Sequence, residues 1–323
     1  MSKSIYITRG IPDVAITMLR EKGFDVDVRT GQGVPTQSEL IESLSKKPYD
    51  AVITLLTDTI DASVFDACPS AKLFCNYAVG YDNIDLAAAH ERGIVVANTP
   101  GDYSRSIAEH TMALMFALSS RLVEADAFVR AGKFTGWEPM LLLGTDLYGS
   151  VLGLVGTGRI GAQVAQLGRA IGMQVVYHDV TRNKSLEASC HAVYCQSIEE
   201  VLRQADVVSL HVPLLPTTRH LLNMERLSLM KPTALLVNTS RGAVVDESAL
   251  VQALQAKMIA GAGLDVFEHE PQLAEGLAQL PNVVLTPHIA SSRLGARQAM
   301  ARIVASSVIE FFETGRTANA LAV

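Results

Sequence analysis

The chain has 323 residues, 49% hydrophobic and 19% charged, with 33 acidic residues against 27 lysines and arginines and a net charge of -6. That length holds one large or two medium domains. No apolar stretch approaches the roughly 18 residues of a membrane span, and no basic cluster tracks a phosphate backbone, so a membrane and nucleic acid are set aside as partners.

The opening Met1-Ser2-Lys3-Ser4 runs straight into an apolar strand without the hydrophobic segment of a secretory signal, so a cytoplasmic protein is expected. From there short β-branched runs alternate with helical patterns: Ser4 to Thr8, Phe24 to Arg29, Ala51 to Leu55, Leu73 to Asn76 and Ile94 to Ala97. This alternation predicts a parallel sheet flanked by helices. Asn98-Thr99-Pro100-Gly101 is a turn signal, and one long helical stretch is expected from Ser104 to about Arg130. A second series of strands follows, starting at Val151 and continuing through Gln174 to His178, Val207 to His211, Ala234 to Asn238, Ala260 to Val266 and Val283 to Leu285. Leu294 to Thr314 is helical again, and its apolar face needs a partner. The expectation is an α/β chain of two doubly wound parallel-sheet domains. Residues 1–99, completed by 289–323, form one domain, residues 100–288 form the other, and a cleft lies between them. The four cysteines, Cys68, Cys75, Cys190 and Cys195, lack the CxxC-type spacing of zinc or redox sites and read as reduced packing residues.

The run Leu152-Gly153-Leu154-Val155 leads into Gly156-Thr157-Gly158-Arg159-Ile160-Gly161, a strand feeding a glycine-rich turn that opens a helix. The first glycine serves the tight turn, the second the approach of backbone to a pyrophosphate, and the third close helix–strand packing. N–H groups at the helix start then face the negative charge. After the next strand stands Asp179, placed to accept hydrogen bonds from an adenosine ribose and to repel a 2′-phosphate, so NAD is favoured over NADP. Arg182 nearby pulls the other way.

Two further groups carry chemistry-bearing side chains. Gly263-Leu264-Asp265-Val266-Phe267-Glu268-His269-Glu270-Pro271 and Pro287-His288-Ile289 both follow strand ends, where open α/β sheets bind ligands. A histidine beside a carboxylate makes a general acid or base near neutral pH. Spacing alone leaves Glu268 and Glu270 open as the partner, and His288 taken alone reads more readily as a capping or packing residue. Val237-Asn238-Thr239-Ser240-Arg241-Gly242 ends a strand with an arginine, which can grip a carboxylate with two parallel hydrogen bonds or simply face solvent.

Together, the run Gly153 to Gly161, VNTSRGAVVDE (Val237 to Glu247), GAGLDVFEHEP (Gly261 to Pro271) and LTPHIAS (Leu285 to Ser291) resemble the D-isomer-specific 2-hydroxyacid dehydrogenases in order and spacing. Tyr77-Ala78-Val79-Gly80-Tyr81-Asp82-Asn83-Ile84-Asp85 resembles that family's substrate loop. The resemblance implies a Rossmann-type nucleotide domain and a flavodoxin-like substrate domain. In such an enzyme NADH delivers a hydride to a 2-oxo acid, His288 donates the proton, Glu270 partners His288, and Arg241 binds the substrate carboxylate. It also implies that Asp265 contacts the nicotinamide amide, that the N–H groups of Val79 and Gly80 cup the carboxylate, and that Val212, Pro213, Thr218 and Thr239 touch the cofactor. No metal is required. The pocket walls come from Thr54 to Leu56, centred on Leu55, and from the Val79 loop.

Within the family, Trp137-Glu138-Pro139 and Leu143 to Gly149 resemble glyoxylate and hydroxypyruvate reductases. In those enzymes the tryptophan reaches the partner subunit's active site, which implies a functional homodimer and a substrate contact for Trp137. Phosphoglycerate dehydrogenase is the nearest enzymatic alternative, although many members carry an added regulatory domain and this chain ends soon after His288. A formate dehydrogenase would place glutamine where Glu270 stands. From another class, a nucleotide-sensing corepressor uses the same scaffold.

Overall fold

A computed structural model describes residues 2–101 and 103–322. In chain order the first elements are β1 (Ser4–Ile7), α1 (Asp13–Glu21), β2 (Asp25–Val28), α2 (Gln37–Leu44), β3 (Ala51–Leu55), α3 (Ala62–Asp66), β4 (Leu73–Tyr77), α4 (Leu86–Glu91) and β5 (Val95–Ala97). Then come α5 (Ser104–Ser119), α6 (Leu122–Arg130), β6 (Val151–Val155), α7 (Arg159–Ala170), β7 (Gln174–His178), α8 (Lys184–Cys190), β8 (Val193–Tyr194), α9 (Ile198–Gln204) and β9 (Val207–Leu210). The last are α10 (Met224–Leu227), β10 (Leu235–Asn238), α11 (Glu247–Gln255), β11 (Gly261–Leu264), β12 (Val283–Leu285) and α12 (Leu294–Thr314).

The chain divides into two compact units, residues 1–102 with 293–323, and residues 103–292. The first holds a five-stranded sheet in the order β2-β1-β3-β4-β5, every pair parallel. That is the flavodoxin-like order. The inner strands β3 and β4 are largely apolar runs because both faces are covered, as in all-parallel sheets generally, and Leu73, Phe74 and Cys75 are fully buried; the edge strand β2 alternates aspartate and valine. Within this unit α12 packs against α1 and β4. Beyond it, the Leu321 N–H donates to the Val96 carbonyl at 2.8 Å, tying the C-terminal tail to β5.

The second unit holds a seven-stranded sheet in the order β12-β11-β10-β9-β6-β7-β8, again parallel throughout. The chain runs outward from β6 through β7 to β8, then crosses to β9 on the other side of β6. A crevice therefore opens at the carboxyl ends of β6 and β9, the switch point at which such sheets bind ligands. Two layers of apolar side chains cover the sheet, one including Leu250, Leu254 and Leu264, the other including Met115, Leu152 and Tyr177.

The single long helix expected from Ser104 to Arg130 is two helices. The Ser119 carbonyl accepts from the Thr145 N–H at 2.8 Å, and Arg121 takes a left-handed conformation with φ of 50°. A tertiary bond has captured a carbonyl at the helix end, and Arg121 then pairs with Glu124 at 2.8 Å to open α6. The two-residue edge strand β8 was too short to leave a periodic signal. All four cysteines are buried and unpaired. Among the described residues no helix is long and apolar enough to cross a membrane, and no group of His, Cys, Asp and Glu is arranged to hold a metal.

Candidate functional site

Because the seven strands are parallel, the segments after β6, β7, β9, β10, β11 and β12 all emerge at one edge. Topology thus gathers the glycine turn, Asp179, Val212, Arg241, Glu270 and His288, which the sequence spreads over 133 positions from Gly156 to His288. Leu55, Val79 and Gly80 follow β3 and β4 in the other unit.

At the glycine turn, Gly156 has φ of 91°, and a Cβ there would come within 2.6 Å of the His211 carbonyl oxygen. Only glycine fits both constraints. Gly158 opens α7 without any side-chain cap, and the direction its Cβ would take is open space. The uncapped first N–H groups of α7 fit the phosphates of a dinucleotide, and beside them a pocket runs along the flank of α7 against α8, lined by Thr157, Gly158, Arg159, Gln166, Asn183 and Ser189. Ile160 is half-buried and Gly161 buried, facing the strand. His211 beneath the turn bonds Ser209 Oγ at 2.9 Å, and burial pushes its imidazole down to about 3, so it stays neutral.

The Asp179 carboxylate folds back on the turn, accepting from the Thr157 N–H at 2.6 Å and its hydroxyl at 2.9 Å. Arg182 is engaged by Glu187 through two bonds of 2.6 and 3.0 Å. Val212 packs on the core below, and the Thr218 hydroxyl closes the next loop by donating to the Pro213 carbonyl at 2.6 Å.

After β10, the buried Asn238 organises the turn. Its carbonyl oxygen accepts from the Ser240 N–H and hydroxyl, and its amide donates to the Arg241 carbonyl at 2.8 Å. Arg241 Nη1 donates to the Ser240 carbonyl at 2.8 Å. A Cβ on Gly242 would overlap the Phe267–Glu268 peptide, so this turn and the loop carrying Glu270 touch backbone to backbone. Thr239 is buried and meets Thr111 hydroxyl to hydroxyl at 2.9 Å.

His288 Nδ1 lies 2.9 Å from Glu270 Oε2 and 3.1 Å from Oε1. An ionised carboxylate only accepts, so Nδ1 carries a proton and Nε2 is left for other work. His288 is left-handed, with φ of 53°, a conformation that persists only when its surroundings enforce it. They do so here through Asp265, which is fully buried. Its carboxylate accepts from the N–H groups of Ile289 and Ala290, each at 2.8 Å, and from the Thr286 hydroxyl at 2.6 Å. Its carbonyl accepts from the His288 N–H at 2.8 Å. Burial alone would raise the Asp265 carboxyl; the bonds from His110, Thr286 and the two amides outweigh it and hold the group below its ordinary value.

Two residues of this site escaped the sequence reading. His110, on α5, bonds the Thr286 hydroxyl at 3.0 Å; no local pattern links positions 176 residues apart. Glu247 opens α11 almost fully buried, and its carboxylate takes the Glu268 N–H at 2.7 Å and the Ala274 N–H at 3.1 Å, clamping both ends of the Glu270 loop. Glu268, the competing partner, is tied to Arg219 at 2.8 Å and His220 at 2.6 Å. Trp137 is 83% exposed, alongside Met140 and Tyr148, and α6 buries none of its side chains.

A family model described as D-isomer specific 2-hydroxyacid dehydrogenase, NAD binding domain, matches residues 112–290. The glyoxylate reductase of Thermococcus onnurineus is 45% identical over 315 residues, which is 96% of this chain and 93% of that one. Among solved structures, the TT0316 protein of Thermus thermophilus superimposes with a TM-score of 0.92 at 43% identity, covering 99% of this chain and 100% of that one. An NADPH-dependent glyoxylate/hydroxypyruvate reductase of Sinorhizobium meliloti, solved with NADP and malonate, gives 0.87 at 31% identity over 100% and 97%. With the nucleotide-type sheet, the glycine turn and these relatives in hand, the chain belongs to the D-isomer specific 2-hydroxyacid dehydrogenase family and is an oxidoreductase that uses a nicotinamide dinucleotide.

Proposed function

We propose that the protein reduces a small 2-oxo acid, glyoxylate or hydroxypyruvate, to the D-2-hydroxy acid with NADH in preference to NADPH. The observation that carries this reading is the His288–Glu270 pair at 2.9 Å on a turn locked by buried Asp265. The bound dinucleotide would supply the hydride; every other step falls to the chain. Glu270 holds His288 by its Nδ1, leaving Nε2 to hand a proton to the carbonyl oxygen as negative charge develops there. Arg241 takes the substrate carboxylate and polarises the carbonyl. The N–H groups of Val79 and Gly80 share that carboxylate, and Leu55 bounds the substrate's small end.

For the cofactor, the residues of the turn from Gly156 to Gly161 would hold the pyrophosphate, and Asp179 the ribose hydroxyls. Asp179 can leave Thr157 for a hydroxyl donor but repels a phosphate, and Arg182, which could balance that charge, is engaged by Glu187. Asp265 would receive the nicotinamide amide, while Val212, Pro213, Thr218 and Thr239 would border the cofactor. The exposed apolar side chains of Trp137, Met140, Leu122 and Val129 support a homodimer through this face, with Trp137 reaching the partner's substrate.

Steady-state reduction of glyoxylate, hydroxypyruvate, pyruvate and phosphohydroxypyruvate, each with NADH and NADPH, tests this reading. The expected result is highest kcat/KM for glyoxylate or hydroxypyruvate with NADH. A preference for phosphohydroxypyruvate would move the substrate assignment to phosphoglycerate, and equal use of NADPH would remove the role given to Asp179.

A further inference from the structure

In the loop after β4, three successive peptide groups have their carbonyl oxygens held from the strand-end side. The Ala78 carbonyl accepts from the Thr99 N–H at 2.9 Å, the Val79 carbonyl from Asn98 Nδ2 at 2.7 Å, and the Gly80 carbonyl from Asn76 Nδ2 at 2.9 Å. These peptides are trans, and in a trans peptide C=O and N–H lie in one plane and point in opposite directions. Fixing the three oxygens therefore turns the N–H groups of Val79, Gly80 and Tyr81 away from the strand ends. Among the described residues none of these three N–H groups has a protein acceptor. Val79 and Tyr81 are each 44% exposed.

The side chains that hold the oxygens are themselves held. Asn76 is fully buried; its amide also donates to Asn83 Oδ1 at 3.0 Å, and its oxygen accepts from the Thr54 hydroxyl at 3.0 Å. Asn83 in turn donates to the carbonyls of Leu55 and Asp58 at 3.2 and 2.9 Å. The buried Asp58 carboxylate accepts from the Leu55 N–H at 2.7 Å, from Arg9 at 3.2 Å and from the Thr8 hydroxyl. Asn98 is fixed through its backbone, its N–H donating to the Asn319 carbonyl at 3.3 Å in the C-terminal tail. Both pins must be donors. An ionised aspartate at either place would set one acceptor against another.

We propose that Asn76 and Asn98 are positioning residues that aim a row of three backbone N–H groups, those of Val79, Gly80 and Tyr81, at the carboxylate of the 2-oxo acid. Tyr81 supplies a donor beyond the two already assigned. This inference rests on the reading of the Val79–Gly80 loop as the carboxylate cup. The buried network from Thr54 to Asp58 joins that loop to the Leu55 segment, so anion binding and the wall of the pocket share one support.

The test uses the full-length protein loaded with NADH and oxamate, a carboxylate-bearing dead-end analogue. Asn98→Ala removes one donor without burying a charge, and Asn98→Asp turns the donor into an acceptor beside the Val79 carbonyl. The dissociation constant of oxamate, read by NADH fluorescence, rises about tenfold in Asn98→Ala and further in Asn98→Asp, and the KM for glyoxylate rises with it while kcat changes less than about threefold. NADH affinity stays at the wild-type value, which separates aiming of the amides from general loosening. Should Asn98→Asp fail to fold, Asn98→Ala decides. Unchanged oxamate affinity in folded Asn98→Ala overturns the inference and leaves the functional reading standing. A wild-type protein that turns over none of the 2-oxo acids overturns that reading and the inference with it.

Discussion

At the end of β4 the groups turned outward are backbone amides, and the groups that hold them are buried side chains, Asn76, Asn98 and, through Asn83, Asp58. At the ends of β11 and β12 the outward groups are side chains, Glu270 and His288, and the holders are the buried Asp265 carboxylate with the N–H groups of Ile289 and Ala290. The reversal follows from the chemistry each place has to offer. Backbone amides bind an anion at any pH but have no proton to spare, so a loop of them suits recognition. A proton donor has to be a titratable side chain, and its backbone has to be locked if the ring is to point one way. On the function proposed above, the five-stranded unit would supply a recognition loop and the seven-stranded unit the reactive groups.

That contrast breaks most visibly at His288. His288→Gln is expected to lower kcat by about 10²–10⁴-fold with NADH affinity kept; a loss confined to KM would make the histidine a recognition residue and erase the distinction. Asp265→Asn comes next. An amide cannot accept from Thr286, Ile289 and Ala290 with both of its outer atoms, so the His288 turn loosens and kcat drops by about 10- to 100-fold. Set beside Asn98→Ala, which is expected to act on KM, it sharpens the comparison: if both variants move the same kinetic constant, the two loops do the same work. Asp179→Ser is expected to narrow the preference for NADH over NADPH by about tenfold, measured as the ratio of kcat/KM values. Smallest is Trp137→Ala, for which a shift of about two- to fivefold in the glyoxylate to hydroxypyruvate ratio is expected, since one aromatic contact is worth about 1 kcal/mol; an unaltered ratio would remove Trp137 from the substrate.

Much of this was legible along the chain. Runs such as Val151–Val155 and Leu235–Asn238 announce themselves because strands covered on both faces have no need of polar alternation. Arg241 and His288 stood out because each follows a strand end, where parallel sheets put their ligands, whereas Glu270 was set apart from Glu268 only by the family resemblance. What stayed hidden depends on which distant group a residue meets. The break at Ser120–Arg121 follows from a bond between Ser119 and Thr145, and neither residue alone ends a helix. His110 lies on a helix like any other partly buried histidine until Thr286 and Asp265 arrive beside it. Asn76 and Asn98 are small polar residues at strand ends, common in turns of every kind, and only the folded loop shows whose carbonyls they take.

The most direct test of the assignment of proton transfer to His288 is the pH dependence of kcat/KM for glyoxylate reduction, measured with NADH and with the 4-deuterated cofactor so that chemistry is known to limit the rate. With His288 as donor, reduction slows as rising pH takes the proton from the imidazolium, oxidation of the 2-hydroxy acid speeds up over the same range, and His288→Gln removes both trends. A reduction rate that stays flat across that range, with the isotope effect fully expressed, would contradict it.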